Sequence, residues 1–131
     1  MNKYFNWISN LSAIVGGGIV YLLGGWDTFI IALVILMCLD YFTGTLKAIY
    51  TKELSSKTGL KGIIKKVYML AIVCLAVECE RIGIPAVREV TITFFAVNEG
   101  LSILENATKI GLPIPETIKN ALLQIRDKKG E

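Results

Sequence analysis

The sequence predicts an all-α, polytopic integral membrane protein with about four transmembrane helices and a short C-terminal amphipathic helix. Three observations carry that expectation. Several apolar stretches approach the roughly 20 residues that cross a bilayer, a length seldom left uninterrupted in a soluble helix, which must show a polar face to water. The charged residues, 19% of 131, are collected in blocks with long gaps between them. The mean hydropathy of +0.58, with 53% apolar residues, agrees with that segregation. In hydrocarbon a backbone must satisfy its own hydrogen bonds, so the apolar segments are expected to be helices and not strands.

The whole chain, 1–131, reads as one transmembrane domain, and its first segment covers about residues 7–23. Lys3 precedes it, as in a signal peptide, but no small-x-small cleavage pattern follows. The run ends in Leu23-Gly24-Gly25-Trp26, so a retained helix is expected. Ser9, Ala13 and Gly17 recur every fourth residue, a small-xxx-small pattern that lets membrane helices approach closely. Packing within one chain and self-association of protomers both fit this pattern.

The second segment, about 28–46, contains the clearest span, the eleven apolar residues from Phe29 to Leu39. Asp40 follows directly. A lone carboxylate at that depth is costly, so Asp40 either lines a polar path or pairs with Lys47, Lys65 or Lys66 to fix helix docking. Gly44, one turn on, leaves room for a close neighbour. The third segment spans about 63–79, with Lys65 and Lys66 near its start able to snorkel toward headgroups. The fourth, about 84–104, is the least hydrophobic. Thr91, Asn98, Ser102 and Glu105, spaced by seven, four and three residues, share one helix face, and Glu99 widens the stripe. Such a stripe suits either a pore lining or hydrogen bonds within a bundle.

A cytoplasmic tail, about 105–131, is expected, and within it an amphipathic helix starts near Glu116, after Pro113 and Pro115. Ile118, Ala121, Leu122 and Ile125 share its apolar face, which suits a membrane surface or a neighbouring protomer.

Orientation follows from the basic residues. The loop expected at about 47–62, with the start of the third segment, holds Lys47, Lys52, Lys57, Lys61, Lys65 and Lys66, opposed only by Glu53. Lys3 at the N-terminus and Lys109, Lys119, Arg126, Lys128 and Lys129 in the tail fall on the same side, against Arg81 and Arg88 on the other. The positive-inside rule then places both termini and the lysine-rich loop in the cytoplasm, which requires an even number of crossings. The same lysines lie between hydrophobic spans without interleaved aromatics, so nucleic acid is not an expected partner and membrane lipids are.

Chemistry is restricted by what is missing. There is no histidine, the commonest general base and metal ligand. Cys38, Cys74 and Cys79 lie in or beside apolar runs at spacings that suggest neither a disulfide framework nor a zinc site, and they read as small apolar fillers. No catalytic residue, cofactor or metal is expected.

Two stretches carry a family resemblance. Leu39-Asp-Tyr-Phe-Thr-Gly-Thr-Leu-Lys-Ala48 with Ser55-Ser-Lys-Thr-Gly-Leu-Lys-Gly62 resembles the phage lysis and toxin-secretion holins, among them clostridial toxin-export holins and Gram-positive prophage holins. The stretch from Asn98 to Pro115 is similar to that family's C-terminal third, and the likeness covers about residues 28–127. The resemblance implies a non-enzymatic protein that forms homo-oligomers in the cytoplasmic membrane. It would open lesions through which an endolysin or a toxin leaves as cargo. An antiholin with the same fold, or a small ion channel or transporter subunit with only the layout in common, are the alternatives.

Overall fold

The computed structural model describes residues 2–130, so Met1 and Glu131, the ends of the expected 1–131 domain, lie outside the described residues. Among the described residues five helices follow one another: α1 (Asn2–Leu22), α2 (Thr28–Tyr50), α3 (Ser56–Arg81), α4 (Val87–Lys109) and α5 (Glu116–Gly130). Among the described residues there is no strand. Two of the helices, α1 and α2, are long and apolar enough to cross a membrane.

The helices outrun the apolar segments, because polar helix formers at their ends keep the backbone ladder intact where hydrophobicity has already stopped. The correction is largest between α2 and α3. The loop expected at 47–62 shrinks to residues 51–55, since Lys47 to Tyr50 continue α2 and α3 begins at Ser56. Ser55 fixes that start by accepting from Thr58 N at 3.5 Å, an N-cap. Asp27 caps α2 in the same way, accepting from Ile30 N at 3.1 Å. The fourth helix starts at Val87 rather than 84, because Pro85 and Ala86, with φ of 62°, interrupt the helical backbone. Ala86 offers no side-chain cap. Glu80 at the end of α3 supplies one instead, accepting from Arg88 N at 3.0 Å. At its other end α4 runs to Lys109, so Glu105 is a helical residue and not part of the tail.

The core lies among α2, α3 and α4. Leu23, Ile30, Leu33, Met37, Val73 and Ile92 form one buried cluster, with Met69, Leu70, Cys74, Phe95 and Ala96 packed against it. In contrast, α1 has no buried residue and stands outside this bundle. Meanwhile α5 packs back on α4: a Cβ placed on Gly100 would sit 3.1 Å from Leu122 Cδ1. This revises the expected apolar face. Leu122 and Leu123 are the half-buried residues, while Ile118, Ala121 and Ile125 stay exposed.

Candidate functional site

The charges that a buried helix can least leave unpaired meet among α2, α3 and α4. Asp40 ends the apolar run of α2, Lys66 lies in the third turn of α3 and Glu99 is midway along α4. Lys66 Nζ donates to Asp40 Oδ2 at 2.7 Å and to Glu99 Oε2 at 2.5 Å. The three side chains are only 11–17% exposed. One ammonium thus serves two carboxylates, holding three helices at a single point.

Around this trio the remaining polar groups are also satisfied. Asn106 Nδ2 donates to Thr43 Oγ1 at 3.1 Å and, more distantly, to Asp40 O and Oδ1 at 3.4 Å. The Thr43 hydroxyl in turn donates to Asp40 O at 3.2 Å. A Cβ on Gly44 would lie 3.6 Å from Asn106 Nδ2, so the bare backbone of α2 at Gly44 is where α4 brings its amide close. Among the described residues no buried side-chain nitrogen or oxygen lacks a partner, as an interior that cannot borrow water requires.

The trio opens onto a cleft of about 550 Å³, walled by Lys47 of α2, Thr58 and Lys65 of α3, and Asn98 and Ser102 of α4. Gly59 and Gly62 thin the α3 wall where Tyr41 approaches, a Cβ on Gly59 falling 3.2 Å from Tyr41 Oη. The cleft combines fixed charges of both signs with hydroxyls and an amide. Its chemistry is that of a polar passage or packing seam, and among the described residues no group of His, Cys, Asp and Glu is arranged to hold a metal.

The expected polar stripe of α4 is divided among three environments. Glu99 is buried in the trio, Asn98 and Ser102 line the cleft, and Thr91 spends its hydroxyl on Val87 O at 2.7 Å. Glu105 is exposed and pairs with Lys109 at 3.3 Å. Of the lysines read as an orientation signal, Lys52, Lys57 and Lys61 are exposed. Lys47 and Lys65 reach the cleft, and Lys66 is the counter-ion of the trio. Ser9, Ala13 and Gly17 are exposed on α1, and a Cβ on Gly17 would meet nothing within 4 Å.

Two features escaped the sequence reading. Asn106 lies seven residues beyond Glu99, a spacing that would have placed it on the same face. The second is a clasp at the other end of the bundle. Arg88, buried, donates from Nε to Leu23 O at 2.7 Å and from Nη2 to Gly25 O at 3.2 Å. It also grips both oxygens of Asp27, at 2.7 and 3.1 Å. The Arg88 guanidinium holds the Asp27 carboxyl below its ordinary range. Beside it Arg81 pairs with Glu78, donates to Tyr21 O at 2.7 Å and stacks 4.0 Å over the Tyr21 ring. The two arginines tie the end of α1 to α3 and α4.

Comparison with known proteins gives a family and several relatives. The model of the bacteriophage holin family matches residues 17–127. An uncharacterized 14.9 kDa protein of Clostridium perfringens is 39% identical, over 98% of this chain and 100% of its own length. The protein YqxH of Bacillus subtilis is 35% identical over 86% of this chain and 81% of its own. A protein of Bacillus phage phi105 that bears the name "Probable holin" is 34% identical over 76% of this chain and 77% of its own. No solved structure matches.

Proposed function

This chain belongs to the bacteriophage holin family, and on that premise we propose that it oligomerises in the cytoplasmic membrane of a bacterial host and opens lesions that release an endolysin or a toxin. The activity is non-enzymatic: the protein moves the permeability barrier aside and forms no stable complex with its cargo. Its partners are membrane lipids and further copies of itself.

The reading includes four crossings. At ~1.5 Å per residue, 26 and 23 residues make α3 and α4 about 39 and 35 Å long, enough for a hydrocarbon core of ~30 Å. Their charges are distributed to suit. Lys57 and Lys61 lie at the start of α3 and Glu78, Glu80 and Arg81 at its end, while the interior Lys66 and Glu99 are ion-paired with each other and with Asp40. Both termini and the 51–55 turn then face the cytoplasm, in line with the positive-inside distribution. Thr58→Cys should resist an impermeant thiol reagent in intact cells and Trp26→Cys should react; the opposite pattern would invert the assignment.

The observation that carries oligomerisation is α1. It is 21 residues long, apolar enough to span, and has no buried residue. The edge of Ser9, Ala13 and Gly17 is open to a neighbour's backbone. One four-helix protomer encloses at most a narrow path, because helix axes pack ~8–10 Å apart, so a folded enzyme needs many protomers around it. The decisive experiment induces the protein in a bacterium while following membrane potential and release of a co-expressed endolysin. A protein that stays monomeric or dimeric and passes ions without releasing enzyme would be a small channel. One that is harmless alone but delays a partner holin would be an antiholin.

A further inference from the structure

We infer that α5 is a two-position helix, seated on α4 when that face of α4 meets water and transferred to the surface of an anionic bilayer when it meets lipid. The inference rests on the four-crossing reading. It starts from a conflict in depth. Gly100, where Leu122 docks, precedes the end of α4 at Lys109 by nine residues, or about 14 Å of helix. Because α5 begins beside that end and reaches Gly100, it runs back along α4. Arg126 lies one turn past Leu122, about 6 Å further in, which places it well inside a hydrocarbon core ~30 Å thick. Asp127 and Lys128 follow it, all three exposed.

In lipid, exposed ionic side chains at that level cost more than the contacts of Leu122 and the half-buried Leu123 return. The docked position therefore fits a face of α4 bathed in water, as in the wall of a lesion. For the alternative position α5 already has a second face. Ile118, Ala121 and Ile125 form an apolar stripe, with Ile118 and Ile125 49% and 42% exposed. Lys119, Arg126 and Lys128 outnumber Glu116 and Asp127 beside it. An apolar stripe flanked by surplus positive charge complements the headgroup region of an anionic leaflet. Gly100 sets the balance: a Cβ there would stand 3.1–3.3 Å from the methyl groups of Leu122, so a branched side chain requires Leu122 to shift from its seat.

The test uses the full chain with Cys38, Cys74 and Cys79 replaced by alanine and one fluorophore attached through Ile125→Cys. It is reconstituted into vesicles of phosphatidylcholine alone or mixed with phosphatidylglycerol. Brominated lipids that quench at shallow or deep positions report where the label lies. Shallow quenching should be several-fold stronger with phosphatidylglycerol than without, and should fall as salt is raised. Adding Gly100→Val should raise it in both compositions. Quenching that is indifferent to lipid charge and to Gly100→Val, or that comes from the deep position, would overturn the inference. Ile82→Cys probes the premise separately in intact cells. If it is sealed from an external thiol reagent, four crossings fail and the switch fails with them; if it labels while α5 ignores lipid charge, only the switch fails.

Discussion

Replacing Lys66 by methionine should damage this protein far more than replacing either carboxylate that it serves. Lys66 Nζ lies 2.7 Å from Asp40 Oδ2 and 2.5 Å from Glu99 Oε2. At an effective dielectric constant of about 20 each contact corresponds to about 6 kcal/mol of attraction, while the two carboxylate oxygens, held on one nitrogen and so at most about 5 Å apart, repel by at least about 3 kcal/mol. Asp40→Asn gives up one attraction but also removes that repulsion and the cost of burying one charge, and its amide oxygen can still accept from Asn106. Its net cost should be about 1 kcal/mol or less. Lys66→Met leaves two adjacent carboxylates without a cation, and removing one partner of a buried pair costs about 3–5 kcal/mol. The triple variant Asp40→Asn, Lys66→Met, Glu99→Gln removes every charge and should return to within about 1–2 kcal/mol of the parent. Thermal loss of helical circular dichroism in detergent, together with the amount of protein recovered from membranes, measures the order. If Asp40→Asn proves as harmful as Lys66→Met, or the triple variant as harmful as the single, the trio is not held by its ion pairs and the reasoning fails.

The remaining predictions concern α1 and its turn. The folded Asp27 carboxyl is held below the ordinary 3.8, so the clasp with Arg88 adds stability above that pH and loses it as pH falls through the folded value. Proteolysis at the 23–27 turn in detergent should accelerate below about pH 4 in the parent, whereas Asp27→Asn should be fast at all pH and lack the step. Gly24→Ala meets a positive φ of 79° and puts a methyl 2.7 Å from Arg88 Nε and 2.9 Å from Val77 Cγ2. A loss of about 1–3 kcal/mol in thermal unfolding should follow. At Gly17 a Cβ meets nothing within 4 Å, so in Gly17→Leu membrane insertion and unfolding should hold or improve by up to about 1 kcal/mol. Crosslinked oligomers and enzyme release should nevertheless fall together; normal oligomers in this variant would take α1 out of the interface.

How much of the site could be read in advance depended on the residue. Asp40 is conspicuous because eleven apolar residues precede it, and an isolated carboxylate there demands a partner. Three lysines were in reach by spacing along the chain, and Lys66 is the one that the packing of α3 turns inward. The α4 stripe had the right period, but one face of a helix can meet three different surroundings. Thus Glu99 is buried, Asn98 borders a cleft and Glu105 is exposed. The Arg88 clasp was illegible because two of its four acceptors are backbone carbonyls, which every sequence possesses.

What the sequence determined by itself was the class of the molecule and its helix order. Long apolar runs with segregated charge leave the backbone few structures other than helices, and caps such as Asp27 and Ser55 act within a few residues of themselves. The proposed orientation relative to a membrane likewise rests on a sum over basic residues and not on packing. The tertiary structure alone decided that α1 stays outside the bundle, that α5 turns back to Gly100, and that one lysine serves two carboxylates. These are contacts between residues far apart in the chain. Periodicity says which face of a helix is apolar or polar, but not which other helix will lie against it, because several partners satisfy the same stripe until shape and charge are matched in three dimensions.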